Sequence, residues 1–475
     1  MRALLVAVAV GLLVGGAIAQ PRSDPADLPA MRYELGQRLK RFEAAWEKHD
    51  GEAGRKRALV SVESLTRQFF SFQFGEAGRG LDRATLALTT EDEPGMSRQW
   101  TTSLYAVPEL RVVDGTAKEL SVTIKPFYPV KGAVPKGLEV QLWFTDKQVI
   151  TAKPDKFPFT MKVPLPPLGE FRGLDRKLYF LAEAGREVRH TSISVSQIEG
   201  LKPRLAALKK AVAEWERIDS IEKATARDRA ELVADLMSGT VPETDLPVAD
   251  LLANAEAMLD DKPFFTAAKS GQFWMSVPTG ANKAIATRVF VPRGLNASKP
   301  VPVVVALHGA GGSENLFFEG YGAGHAVTEC RKRGWLLAAP RSGLMFNSAP
   351  PVLEMLTELA KRYPIDLNRV FVVGHSMGAA QTVALVQKHS GKIAAAAALG
   401  GGGAVRDAIA FATVPLFIGV GEKDGVALAG ARALNKSLVG AKSLTYKEYP
   451  NIEHMVIVRE AQPEVFAVFD RAAGK

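Results

Sequence analysis

The stretch Val370-Phe371-Val372-Val373-Gly374-His375-Ser376-Met377-Gly378-Ala379-Ala380-Gln381-Thr382-Val383 decides the fold. Four apolar residues of strand character run into Gly-His-Ser-Met-Gly, and helix-forming residues follow as far as Lys388. A serine in G-x-S-x-G between a strand and a helix occupies a strained turn, which lifts its hydroxyl out at the C-terminal end of a sheet. Glycine is needed on both sides because a side chain there would collide with neighbouring backbone. The same turn sets the Met377 N–H at the start of the following helix, where partial positive charge favours an oxyanion. Ser376 is therefore the expected nucleophile and Met377 one expected oxyanion donor.

On both sides of this motif, apolar runs of strand length alternate with helix-like segments. The runs are 286–291, 302–307, 335–339, 370–373, 393–398, 414–420 and 444–449. Near-continuous apolar strands separated by helices predict an α/β fold with a mostly parallel sheet covered on both faces. Directly after the run 302–307 comes His308-Gly309-Ala310-Gly311-Gly312. A glycine-rich loop at this place lets backbone N–H groups approach a substrate carbonyl. The Ala310 N–H is the expected second oxyanion donor, with Gly309 as its alternative.

A serine hydroxyl is almost fully protonated at neutral pH and needs a base. Of the seven histidines, His49 and His190 lie outside the α/β region. His375 adjoins the serine, His389 ends a helix, His325 lies on a glycine-rich segment and His308 suits a loop-holding role. His454 remains, just past the last strand. An acid is expected after the preceding strand, where Gly421-Glu422-Lys423-Asp424-Gly425 offers Asp424, with Glu422 as runner-up. The spacings of 48 and 30 residues from Ser376 to Asp424 to His454 leave room for one βα unit each. Phe317, Phe318 and Tyr321 follow the glycine loop, and Leu344, Met345 and Phe346 follow another strand end. Both groups are expected to wall an apolar or aromatic acyl pocket, a role that competes with plain core packing.

The order serine, acid, histidine is that of α/β-hydrolases. Residues 302–471 resemble the polyhydroxybutyrate depolymerase, feruloyl esterase and dienelactone-hydrolase-like branch of that fold. The resemblance rests on Leu307-His308-Gly309, Tyr363-Pro364-Ile365-Asp366 with Asn368-Arg369-Val370, Gly374 to Gly378, Gly421 to Asp424, and His454. It implies an acyl-enzyme mechanism on carboxylic esters. It is specific for fold and triad and much less so for substrate. Many secreted members carry disulfides. This chain has only Cys330, which reads as a small buried hydrophobe, so close kinship with the secreted fungal esterases is not expected.

The remaining sequence predicts further layers. Residues 20–80 read as a helical hairpin, with Leu28, Met31, Leu35, Leu39, Phe42 and Trp46 at helical spacing. Residues 81–199 alternate with a period of two between proline and glycine turns and read as a small β-sandwich, for packing or for carbohydrate or polymer binding. Residues 200–262 read as a helical linker and 263–475 as the α/β-hydrolase catalytic domain. Residues 1–19 carry Arg2, a 17-residue apolar run and Ala17-Ile18-Ala19, the form of a cleaved signal peptide. A periplasmic or secreted protein without stable membrane insertion is expected. The net charge of +9 is scattered, and no basic stripe with interleaved aromatics points to nucleic acid. No metal or organic cofactor is implied. The expected partner is a small-molecule or polymer-linked ester. Two rivals stand beside the serine esterase: a peptidase related to the prolyl-oligopeptidase group, and a catalytically silent binding module.

Overall fold

The structure, a computed structural model, describes residues 27–260, 262–343, 349–441 and 443–474. The expected signal segment 1–19 and the expected pocket residues Leu344, Met345 and Phe346 lie outside the described residues.

Among the described residues five helices come first: α1 (Leu28–Lys48), α2 (Glu52–Val62), α3 (Leu65–Phe70), α4 (Phe74–Ala87) and α5 (Met96–Ser103). Helical spacing buries Leu35, Phe42 and Trp46 along one face of α1. The helical region expected to end at residue 80 continues to Ser103, so the expected boundary falls inside α4. Phe74, Ala77, Leu81 and Ala84 form its buried stripe. Short residues let α2 and α4 touch: a Cβ on Gly54 would lie 2.4 Å from the Leu88 carbonyl oxygen. A stripe built partly of alanine and glycine leaves little trace in the periodicity of large apolar residues.

Eight strands follow: β1 (Leu104–Pro108), β2 (Val112–Asp114), β3 (Glu119–Pro126), β4 (Glu139–Trp143), β5 (Ile150–Ala152), β6 (Phe159–Pro164), β7 (Gly173–Ala184) and β8 (Glu187–Ile198). They form two sheets, β1-β3-β6 and β2-β8-β7-β4-β5. Leu120, Val122 and Ile124 of β3 share one core with Val140, Leu142, Phe180 and Val195 of the second sheet. The period of two read from the sequence is the inner face of this sandwich.

Residues 200–262 form α6 (Leu201–Ala213), α7 (Ile221–Met237) and α8 (Val248–Ala257). Leu205, Val233 and Leu252 of these helices belong to the same buried cluster as Val303 and Val305 of the large sheet. The segment expected as a linker is thus also a covering layer.

The large sheet comprises β9 (Gly271–Gly280), β10 (Lys283–Val291), β11 (Val301–Leu307), β12 (Leu336–Pro340), β13 (Ile365–His375), β14 (Ala395–Leu399), β15 (Leu416–Gly421) and β16 (Leu444–Tyr449). Its order is β16-β15-β14-β13-β11-β12-β10-β9. Pairing is parallel from β12 through β16 across the sheet, while β10 runs antiparallel to β9 and β12. Helices α9 (His325–Arg333), α10 (Val352–Ala360), α11 (Met377–His389), α12 (Leu428–Ser437) and α13 (Ile457–Ala472) connect or follow these strands. Val303 and Val305 face one cluster, with α6–α8 and α10–α12; Val304 and Ala306 face the other, with α1, α2, α4, α9 and α13. Burial on both faces explains the unbroken apolar runs, and this is the α/β-hydrolase fold.

From β11 the chain passes to β12 on one side and then to β13 on the other. Strand order reverses there, and a crevice opens beyond the C-terminal ends of the two neighbours. Leu307 and Gly374 lie opposite each other in that pair. No helix among the described residues is long and apolar enough to cross a membrane.

Candidate active site

Ser376 links β13 to α11 with φ 57° and ψ −114°. A positive φ at a residue with a side chain is strained and persists only where its surroundings impose it. The surroundings do so here. A Cβ on Gly374 would lie 2.0 Å from the Gly378 carbonyl oxygen, and one on Gly378 would lie 2.1 Å from that of Leu307. The Ser376 N–H donates to the Leu399 carbonyl at 2.9 Å, tying the turn to β14. The Met377 and Ala310 N–H groups have no protein acceptor among the described residues. The alternative loop donor, Gly309, is engaged: its N–H donates to the Tyr321 hydroxyl at 3.4 Å.

Asp424 and His454 come together after β15 and β16. The Asp424 carboxylate is buried, with Oδ2 2.7 Å from His454 Nδ1. Its Oδ1 accepts the N–H groups of Val426 at 3.1 Å and Ala427 at 2.9 Å. A carboxylate so held is acceptor-only, so His454 carries its proton on Nδ1 and leaves Nε2 basic. Glu422, the runner-up, is exposed and among the described residues accepts only the Asn451 N–H, at 3.4 Å. Ser376 and His454 border the same cavity, without a hydrogen bond between them.

His375 does not turn back on Ser376. Its Nδ1 is 2.7 Å from the Tyr321 hydroxyl and its Nε2 is 2.8 Å from the His454 carbonyl oxygen. A carbonyl can only accept, so Nε2–H donates to it and Nδ1 accepts from Tyr321. Hydrogen bonds then run in one direction from Gly309 through Tyr321 and His375 to the backbone of His454. Burial holds the His375 imidazole well below its ordinary pKa, and the neighbouring His454 adds to the effect. His308 has the loop-holding role, with Nδ1 on the Gly309 carbonyl at 2.8 Å and Nε2 accepting the Ser342 N–H at 2.9 Å.

A cavity of 160 Å³ adjoins Ser376, His454, His375 and the loop from Gly309 to Ser313. Of the expected pocket residues, Tyr321 borders it. Phe317 and Phe318 do not: the π-helical turn Leu316–Gly320 turns both into the core. Phe317 packs edge-on against Tyr321, and Phe318 lies beneath the Arg288 guanidinium. The opposite wall comes from α1 and α3, which sequence reasoning did not connect with the site. A second cavity, of 550 Å³, shares Gly311 and Gly312 with the first and is bordered by Asp228, Arg229, Glu314 and Arg341.

Two buried acids flank the histidine loop. Glu453 accepts the Met455 and Val456 N–H groups at 2.9 and 2.8 Å, and burial pushes its pKa up to about 7. Glu43 of α1 accepts the Gly322 N–H at 3.1 Å, while its other oxygen is buried without a partner. Burial, and then the charge of Glu453, raise its pKa well above the usual carboxylate range. Cys330 is buried away from the site, and burial pushes its thiol pKa up. Among the described residues no cluster of His, Cys, Asp and Glu is arranged to hold a metal ion.

No family model and no curated protein sequence matches this chain. Several solved structures are similar to it. A thermostable esterase has 17% identity and a TM-score of 0.38, over 75% of this chain and 98% of that one. A variant of the feruloyl esterase module from Clostridium thermocellum, complexed with sinapinate, has 12% identity and a TM-score of 0.37, over 44% and 92%. A protein assigned as a dienelactone hydrolase, from Klebsiella pneumoniae, has 16% identity and a TM-score of 0.34, over 43% and 98%.

Proposed function

We propose that the chain is a serine esterase acting on carboxylic esters. The observation that carries this reading is the buried Asp424–His454 pair on the cavity that also holds Ser376, at the start of α11. Ser376 Oγ attacks the ester carbonyl carbon and His454 Nε2 takes the hydroxyl proton. The Met377 and Ala310 N–H groups hold the oxyanion. As the C–O bond breaks, His454 returns the proton to the leaving alcohol. Water then attacks the acyl-enzyme by the same route, releasing the acid and restoring Ser376. Asp424 keeps the tautomer and stabilises the imidazolium. Hydrogen bonds between nucleophile and base are often long until substrate binds, which accommodates the missing Ser376–His454 contact.

The test compares wild type with Ser376→Ala on p-nitrophenyl acyl esters, with fluorophosphonate labelling of the serine. Loss of turnover by about 10⁶-fold and loss of the label are expected. Activity retained in the variant would sink the assignment. Turnover of aminoacyl-arylamides but not of aryl esters would replace it with the peptidase, and an inert, unlabelled wild type would replace it with the binding module.

Export belongs to the same proposal and rests on the apolar run ending in Ala17-Ile18-Ala19. A mature protein beginning at Gln20 by mass is the expected result, and an intact Met1 end in the mature protein would contradict it.

A further inference from the structure

We propose that the N-terminal helices select the substrate: Leu35 and Leu39 of α1, with Phe69 and Phe70 of α3, hold an uncharged apolar group of the ester next to Ser376. The proposal rests on the esterase reading and names the substrate class of that site.

The first observation is placement. The 160 Å³ cavity has the elements of an acyl-transfer centre on one side, and these four residues on the other. Its size is below the roughly 300–1,000 Å³ of sites for drug-sized ligands, which fits a compact acyl or alkyl group. The charged side chains at its border are already paired. Arg32 bonds Glu243 and the Gly311 carbonyl, and Lys40 bonds Glu319. Apolar surface is what remains to be satisfied.

The second observation is contact between this wall and the oxyanion loop. A Cβ on Gly311 would lie 2.8 Å from Phe69 Cε1, so the ring stands against the loop that carries Ala310. Phe70 meets Phe69 edge-on, with ring centroids 5.4 Å apart. Phe70 is also 52% exposed, so its ring is open to a ligand at the border of the cavity.

The third is rigidity. The Gly322 N–H donates to Glu43 at 3.1 Å, Trp46 Nε1 donates to Glu460 at 2.8 Å, and Arg459 Nη2 donates to Glu47 at 2.9 Å. The last turns of α1 are thus fastened to a loop and a helix of the large sheet, and Lys40, next to Leu39, is held by Glu319. A wall held this way reads substrate length by fit, each buried methylene being worth about fourfold in kcat/KM until the space is filled.

The experiment measures kcat/KM for two series, p-nitrophenyl esters of graded acyl length and acetates of graded alcohol length. The proteins are wild type, Leu39→Trp, Phe70→Ala, and Val60→Ala as a control on the exposed face of α2. Leu39→Trp fills the cavity and is expected to lower the ratio of long-chain to short-chain kcat/KM at least tenfold. Phe70→Ala, at an exposed position where folding is secure, is expected to change that ratio severalfold. Val60→Ala is expected to match wild type. The series that responds identifies which side of the ester lies on the wall. Equal ratios in all four proteins, with Ser376 still labelled by fluorophosphonate, overturn the wall and leave the esterase standing. A wild type that turns over neither series and takes no label overturns the esterase reading and this inference with it.

Discussion

The loops of the large sheet and the N-terminal helices meet at one cavity but bring different chemistry to it. From the sheet come a strained serine, a histidine, a buried carboxylate and unpaired N–H groups, all at strand ends. From the helices come leucines and phenylalanines, held by ion pairs at their edges. The first set is fixed by backbone geometry, since strand ends, a turn and a helix start place each group. The second is fixed by packing over several hundred residues of sequence. Damage to the first should therefore appear in rate, and damage to the second in stability or selectivity.

The largest break in that contrast is Asp424→Asn. It keeps the shape of the acid but favours the wrong histidine tautomer, and kcat is expected to fall about 10⁴-fold. Steady-state kinetics beside a thermal melt checks this; a large loss of melting temperature with activity retained would place Asp424 on the structural side. The converse is Arg38→Ala. Arg38 of α1 is fully buried, bonds Asp82 and Glu34, and donates to the Thr102 carbonyl at 2.9 Å. Removing it takes one cation from a buried network in which Glu34 keeps Arg41 and Arg189 and Asp82 keeps the Tyr128 hydroxyl, and breaking a buried pair typically costs about 3–5 kcal/mol. Urea unfolding should register that loss; a midpoint unchanged from wild type would refute it.

The smallest effect sits on the seam between the two regions. Glu453 has an ordinary pKa of 4.5 and a folded value of about 7. Glu43, beside it, is shifted in the same direction. Folded Glu453 therefore holds a proton that the unfolded state has released, so its contribution to stability falls as pH rises from about 4.5 to 7 and then levels off, and Glu43 acts in the same direction. Glu43→Gln relieves this and should raise the melting temperature at pH 8 relative to wild type by about 2 °C, with less gain at pH 5. A gain equal at both pH values would mean that ionising Glu43 carries no cost in the folded state.

The arrangement proposed as catalytic was legible because a strand-to-helix turn and strand-end loops leave local patterns. Two glycines around Ser376 are enforced by carbonyl oxygens about 2 Å from where a Cβ would be. The choice between Asp424 and Glu422 also follows from place: the chain turns into α12 just after Asp424, and the Val426 and Ala427 N–H groups close on its carboxylate. The pocket was less legible. Phe317 and Phe318 follow the glycine loop directly, yet one π-helical turn points them inward. Leu35 and Phe69 look like any amphipathic helix residues, because the partner that makes them a wall is about 300 residues away and leaves no mark on local spacing. The extent of α4 was hidden for a related reason, its stripe being partly alanine and glycine.

The bond from Trp46 to Glu460 spans 414 residues. On a chain made from its N-terminus, α1 can pack on α4 early, but its bonds to Arg459 and Glu460 form only when α13 is made. Until then Trp46 Nε1 lacks its acceptor and Glu43 lacks the Gly322 N–H, and incompletely packed surface of this kind is where newly made chains are prone to stick to one another or to be trapped. Helix α1 thus completes its contacts late, and the cavity beside Ser376, bordered by His454 and Met455, closes only near the end of assembly.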